Sequence, residues 1–153
     1  MSITFQQEPF ATAYRDAEPE LHRHYDEIAE DKEIIGPIDP DLETYEALDK
    51  KDRLRVLTAR DNGKLVGYYV AIIGQNMHYK KIRCAIEDMY YLAPEYRKGS
   101  LGIRLFVEAE KMVRASQAVI TLAKTKVAHD HGIIFKRLGY RPFESVYMKV
   151  LGA

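Results

Sequence analysis

Apolar residues along this chain change their spacing several times, and each change marks a new element. Ile3 and Phe5 alternate with polar neighbours, as a short first strand would. From Glu18 to Glu33, Leu21, Tyr25 and Ile28 fall three and four apart among acidic residues, the period of an amphipathic helix. Gly36-Pro37-Ile38-Asp39-Pro40 interrupts that period, because prolines and glycine do not continue a helix. Asp39, Asp41 and Glu43 then read as the acidic start of a second helix reaching Asp52, with Leu42, Tyr45 and Leu48 on its apolar side. Arg53–Ala59 alternates as a strand, with Leu54 and Val56 on one face and Arg55 and Leu57 on the other. Asp61-Asn62-Gly63-Lys64 puts Asn-Gly at the centre of a hairpin, and Leu65–Ile73 is its returning strand. Arg83–Leu92 predicts another strand, Ile103–Ala115 a helix carrying Ile103, Phe106, Val107 and Val113, and Ala118–Ala123 a buried strand. Asp130–Leu138 predicts a helix ended by Gly139, and Phe143–Val150 a final strand.

The resulting order, β-α-α-β-β-β-α-β-α-β, contains no repeat, low-complexity tract or linker, so residues 1–153 read as a single domain. Helices between adjacent late strands imply an α/β (α+β) architecture, a mixed central sheet with helices on both faces. An apolar fraction of 46% with 30% charged residues is ordinary for a globular chain. No apolar run approaches the roughly 20 residues that span a membrane, and the start shows no basic and apolar leader pattern. The single cysteine, Cys84, has no internal partner and lies in an apolar strand, which points to a buried side chain in a reducing cytoplasm. Net charge is zero, yet Asp16–Asp52 holds fourteen Asp/Glu against Arg23, Lys32, Lys50 and Lys51, leaving nineteen Lys/Arg and nine acids elsewhere. Such a division suits an anionic ligand on one side and a cationic one on the other, although acidic outer helix faces also serve solubility alone.

The stretch Tyr91-Leu92-Ala93-Pro94-Glu95-Tyr96-Arg97-Lys98-Gly99-Ser100-Leu101-Gly102-Ile103 carries the chemistry. It leaves a strand, passes a basic, glycine-bearing turn and enters a helix, so backbone N–H groups at the positive helix end meet Arg97 and Lys98. Gly99 and Gly102 let phosphates approach the main chain closely. This turn resembles the pyrophosphate loop of the GNAT family of N-acetyltransferases, whose pattern is Gln/Arg-x-x-Gly-x-Gly/Ala. Arg97-Lys98-Gly99-Ser100-Leu101-Gly102 keeps the last glycine, but its middle glycine stands one position early, and Ser100 fills that slot. Ile133-Ile134-Phe135-Lys136-Arg137-Leu138-Gly139-Tyr140 resembles the family's late helix ending in Leu-Gly-Phe/Tyr. The wording around Tyr96–Gly102 and His129–Tyr140 is also similar to GNAT proteins of bacteriophage genomes, which implies a host cytoplasm.

The resemblance implies a GNAT acyl-CoA N-acyltransferase fold and acetyl-CoA as acyl donor. Acetyl-CoA would lie where the strand at Glu87–Ala93 splays from that at Ala118–Ala123, contacting Leu92, Ala93, Arg97, Lys98, Gly99, Ser100, Leu101, Gly102, Ile103 and Phe135. Leu92 takes the position whose N–H polarises the acetyl carbonyl. A carboxylate six residues before Pro94 is common in the family, which places Asp88 ahead of its neighbour Glu87 as amine-activating base. Successive strand residues face opposite ways, so one of the two enters the cleft, and a bulge would swap which. The family's usual tyrosine acid is Phe135 here, which donates no proton; His131, one turn earlier, is the first substitute and Tyr140 the second.

Other templates fail. Gly-x-x-x-x-Gly-Lys-Ser/Thr and Gly-x-Ser-x-Gly are absent, and His22/His24 and His129/His131 fall two apart without further ligands, so no metal site is expected. The chain thus reads as an N-acetyltransferase moving acetyl from acetyl-CoA to a primary, cationic amine by direct attack in a ternary complex. The alternative is a catalytically weak acyl-CoA-binding regulatory protein of the same fold. A nucleic-acid role through the basic half lacks a motif and meets a neutral total charge. No membrane partner is expected, and a homodimer is compatible with the chain.

Overall fold

A computed structural model describes residues 2–152; Met1 and Ala153, the ends of the expected domain, lie outside the described residues. Strand β1 (Ile3–Gln7) leads into helix α1 (Phe10–Ile28), a single turn α2 (Lys32–Ile35) and helix α3 (Leu42–Lys50). Strands β2 (Leu54–Asp61), β3 (Lys64–Gln75) and β4 (Arg83–Leu92) follow, then helix α4 (Leu101–Ala115), strand β5 (Ile120–Leu122) and helix α5 (Gly132–Arg137). The sheet order is β1-β2-β3-β4-β5, antiparallel except for the parallel β4–β5 pair. This is the mixed sheet that the hydrophobic pattern predicts.

Alternation in β2 and β3 divides the core into two layers. Leu54, Val56, Tyr68 and Val70 pack under Phe10, Ala13 and Leu21 of α1, with Tyr45 and Leu48 of α3 alongside. Leu57, Ala59, Tyr69 and Ala71 face Leu105, Phe106, Ala109 and Met112 of α4 and Phe135 of α5. Cys84 is buried in β4, as its apolar context predicts. A buried carboxylate–guanidinium group ties β1 to the sheet: Arg60 bonds Glu8 through Nε at 2.7 Å and Nη2 at 2.8 Å, and Asp16 of α1 at 2.9 Å. The Arg60 hydrogen bond holds the Glu8 carboxyl below its usual range against the opposing effect of burial.

Three elements depart from the sequence expectation. The first helix starts at Phe10, eight residues early, and passes through Pro19. Its first turn buries Phe10 and Ala13 rather than showing acidic periodicity, which the spacing from Glu18 onward does not reveal. The strand expected over Ala118–Ala123 shrinks to Ile120–Leu122. The final strand expected over Phe143–Val150 does not form; those residues have no regular structure, and Val146 and Tyr147 are 88% and 92% exposed. Three residues of β5 offer too short an edge for a partner, and pairing rather than local pattern defines a strand. No helix among the described residues is long and apolar enough to cross a membrane.

Candidate active site

The candidate site lies where β4 and β5 part. Their parallel pairing covers only Cys84↔Ile120, Ala85↔Thr121 and Ile86↔Leu122, so β4 beyond Glu87 has an open edge. The N–H of Ala93 donates to Val66 of β3 at 2.8 Å. Because backbone groups alternate sides along a strand, the N–H groups of Leu92 and Tyr90 point to the open edge. Ala93, by contrast, spends its N–H inside the sheet. The Leu92 carbonyl, on that same edge, accepts from Arg97 Nε at 2.7 Å.

A bulge decides how the two adjacent carboxylates face. Val70 of β3 pairs with Met89 and Ala71 with Glu87, so Asp88 is the extra residue. Asp88 turns to the α1/α3 side, where Tyr45 Oη donates to its Oδ2 at 2.5 Å; the Tyr45 ring in turn stacks on Phe10 at 4.9 Å. Glu87 turns to the other side and is 5% exposed, with Oε2 lacking any hydrogen-bond partner. Burial pushes its carboxyl up to about 7; the Lys124 charge and backbone N–H oppose this and Asp88 adds to it. Glu87 pairs with Ala71 and stands one residue past Ile86↔Leu122, the last β4–β5 pair, which places it at the base of the fork.

The basic turn follows a short 3₁₀ turn, Pro94–Tyr96. Gly99 has φ +89°, which explains why a glycine sits there. A Cβ at Gly102 would come within 2.9 Å of Tyr90 Oη, so this glycine makes room for a phenol from β4. Ser100 precedes α4 without a side-chain cap, leaving first-turn N–H groups without a side-chain acceptor; Lys98 is exposed beside them. Leu101 is buried and anchors the helix, and Ile103 is half-buried. Arg97 is already engaged: its Nη1 and Nη2 bond Glu27 of α1 at 2.5 and 2.6 Å. This pair raises the Arg97 pKa and lowers that of Glu27. Glu27 was not legible as a site residue, because nothing local links position 27 to position 97.

On α5, Phe135 is buried, edge-on to Phe106 at 5.2 Å and beside Tyr140 at 5.5 Å. His131 precedes α5, exposed, with its ring edge-on to Tyr90 at 6.0 Å, so it stands at the mouth of the fork. Tyr140 is half-buried beside Glu110 and Thr121, and burial raises its pKa first, Glu110 adding. The Tyr90 phenol, stacked on Phe106 at 4.2 Å, is pushed up to about 12 by burial. Sequence reading missed Tyr90, although it lies two residues before Leu92 on the same edge.

Across the sheet, a cavity of about 190 Å³ is lined by Leu21, His24, Ile28, Ile35, Met89 and Glu30, among others. His24 faces this cavity. Its Nδ1 lies 2.8 Å from the buried Tyr68 hydroxyl and its ring 4.9 Å from Tyr91, and burial pushes its pKa down to about 4. Among the described residues no group of three or more His, Cys, Asp or Glu could hold a metal ion.

The model of the acetyltransferase (GNAT) family matches residues 5–140, and the chain belongs to that family. Its members are acetyl-CoA-dependent N-acetyltransferases, and that class fixes this chain as an enzyme using acetyl-CoA. The fold is similar to an aminoglycoside acetyltransferase from an uncultured soil metagenomic sample (TM-score 0.73, 17% identity, 100% of both chains). It is also similar to glucosamine-6-phosphate N-acetyltransferase from Arabidopsis thaliana (TM-score 0.74, 10% identity, 99% of this chain and 100% of that one). A third similar structure is AAC(6')-Iy in complex with a CoA bisubstrate analog (TM-score 0.69, 16% identity, 100% of both chains). No curated protein matches this chain in sequence.

Proposed function

We propose that the enzyme acetylates a primary amine by direct attack in a ternary complex, with Glu87 rather than Asp88 as the base. The observation that carries this reading is the buried Glu87 at the fork, whose Oε2 has no hydrogen-bond partner and whose carboxyl burial pushes up to about 7. Acetyl-CoA enters along the open edge of β4, its phosphates at the N-terminus of α4 beside Lys98, Gly99, Ser100 and Gly102. The amine nitrogen forms the new bond to the acetyl carbon. The N–H of Leu92 holds the oxyanion, and the C–S bond then breaks to release coenzyme A as thiolate. The ammonium proton passes to Glu87 through water. His131, at the mouth, is placed to return a proton to the thiolate in the role that Phe135 does not fill. Asp88, held by Tyr45, fixes the bulge that turns Glu87 inward.

The acceptor enters over α1 and α2, beside the cavity bearing Glu30. A cationic amine fits, because Glu30, Asp31 and Glu33 are exposed there without ion-pair partners among the described residues, whereas Glu20, Asp26 and Glu27 are paired. Among the acetyltransferases of similar fold, those named for aminoglycosides, which are polycations, suit the same class. Buried Cys84 supports a reducing compartment, the host cytoplasm if the gene is a phage's. The engagement of Arg97 by Glu27 favours a second reading, a weakly active acyl-CoA-binding protein. Incubation with acetyl-CoA, an amine panel and a thiol reagent separates the two. Amine-dependent release of free thiol, lost in Glu87→Gln, supports catalysis; binding of acetyl-CoA with no amine-dependent release supports the alternative.

A further inference from the structure

A second cavity lies at the other end of the sheet, where β2 begins, β3 ends and β4 begins. Its volume is about 790 Å³, and its lining includes Lys51, Arg53, Lys80, Lys81 and Arg83, with Asp52 the one acid. Arg83 opens β4 and Leu92 closes it, so the cavity is roughly 30 Å from the acyl-transfer edge at about 3.3 Å per residue. Its volume falls within the range of ligand sites.

The cations here lack the carboxylates that neutralise them elsewhere. Asp52 is already bonded to Arg55 at 2.9 Å and reaches Arg83 Nη2 only at 4.0 Å. The Arg83 Nε is buried without an acceptor, an unsatisfied donor of the kind folded proteins avoid. Arg53 Nε caps the Ile73 carbonyl at 3.1 Å, leaving its terminal nitrogens to the cavity rim. Lys80 and Lys81 sit on a loop closed by its own bonds: Asn76 Oδ1 accepts from the N–H groups of His78 and Tyr79 at 2.9 and 3.2 Å, and Asn76 N donates to Ile82 at 2.8 Å. These two lysines are therefore presented by an ordered turn. The same turn exposes Met77 (97%) and Tyr79 (66%), with His78 edge-on to Tyr79.

Five cations around one depression suit several linked negative charges rather than a single carboxylate. Guanidinium forks and ammonium groups match phosphate oxygens, and an exposed phenol beside them offers a base a stacking face. We infer that this cavity is a second ligand site, separate from acetyl transfer, which binds consecutive phosphates borne on a nucleoside. A free nucleoside triphosphate and the backbone of a single-stranded nucleic acid both supply that chemistry.

The test is equilibrium binding to the full chain with acetyl-CoA at saturation, so that the cleft's own phosphate site is occupied. The probes are a labelled ten-residue oligouridylate, a non-hydrolysable nucleoside triphosphate, inorganic tripolyphosphate and polyglutamate. Saturable binding of a nucleoside-bearing phosphate probe is expected, falling at least tenfold in Lys80→Glu/Lys81→Glu and again in Lys51→Glu, with unchanged affinity for acetyl-CoA. The salt slope should shrink in the charge variants. Tyr79→Ala should weaken the nucleoside probes and spare tripolyphosphate. Tighter binding of oligouridylate than of the triphosphate assigns the strand, and the reverse assigns the free nucleotide. No saturable binding of either nucleoside probe, retention of affinity in both charge variants, or equal binding of polyglutamate overturns the inference.

Discussion

The two sides of β4 at its bulge hold the same functional group under opposite conditions. Asp88, on the α1/α3 side, has a phenol donor at 2.5 Å and lies in a layer that connects helices to the sheet. Glu87, one residue away, has an oxygen without a partner and a carboxyl pushed up to about 7 by burial. A satisfied carboxylate fixes structure, and an unsatisfied one near neutrality is available for proton transfer. The comparison teaches that a single inserted residue in a strand gives two adjacent carboxylates opposite faces and opposite environments.

The most direct way to break the comparison is kinetic. Glu87→Gln should lower kcat/KM by about 10²–10⁴-fold, as loss of a general base does, and remove a pH limb near 7 below which wild-type activity falls. If Asp88→Asn lost more rate than Glu87→Gln and abolished that limb, the assignments would be reversed. Stability gives a second, independent reading. The folded state keeps a proton on Glu87 that an ordinary carboxyl, at 4.5, has released, so this group's contribution is lost as pH rises from about 4.5 through 7. Glu87→Gln should therefore gain stability relative to wild type at pH 8, by up to about 3 kcal/mol, in denaturant titrations at pH 4 and 8.

The glycine-bearing turn proposed to hold the cofactor's phosphates sharpens the contrast. Gly99→Val, strained by about 1–2 kcal/mol at positive φ, and Gly102→Val should each weaken coenzyme A binding in calorimetry. The deficit of Gly102→Val should be partly repaired by Tyr90→Phe, since its Cβ meets the Tyr90 hydroxyl. Unchanged affinity in a folded double glycine variant would remove the turn from the cofactor site. Asp88→Asn and Tyr45→Phe should each cost about 1 kcal/mol of stability, a typical hydrogen bond, with kcat reduced less than tenfold. The smallest effect belongs to the rim. For a cationic acceptor kcat/KM should fall as salt rises, and Glu30→Gln with Glu33→Gln should flatten that dependence. An anionic preferred acceptor would contradict the charge argument.

Arg97 illustrates how far the sequence reached. Its position after a strand and before a helix marked the turn as an anion site, yet its partner Glu27 lies seventy residues earlier, on α1. The acidic segment read either as a field for a cation or as solubilising helix faces, whereas folding pairs Asp16 with Arg60, Glu27 with Arg97 and Asp52 with Arg55, and uses Asp41 to cap α3 at the Thr44 N–H.

By itself the sequence determined the elements whose period is local: the Asn-Gly hairpin, the alternating strands β2 to β4, the amphipathic α4 and the glycine-bearing turn before it. Helix and strand periods arise from backbone geometry within a few residues, so they are written in the spacing of side chains. Only the tertiary structure decided which carboxylate faces the fork, because a bulge exists in the register between two strands and not in either strand's pattern. It likewise decided the truncation of β5, the absence of a final strand and the gathering of Lys51, Arg53, Lys80, Lys81 and Arg83 around one cavity. Each of these depends on contacts between segments distant along the chain, where edge length, burial and the placement of charge are set by the partner rather than by the residue.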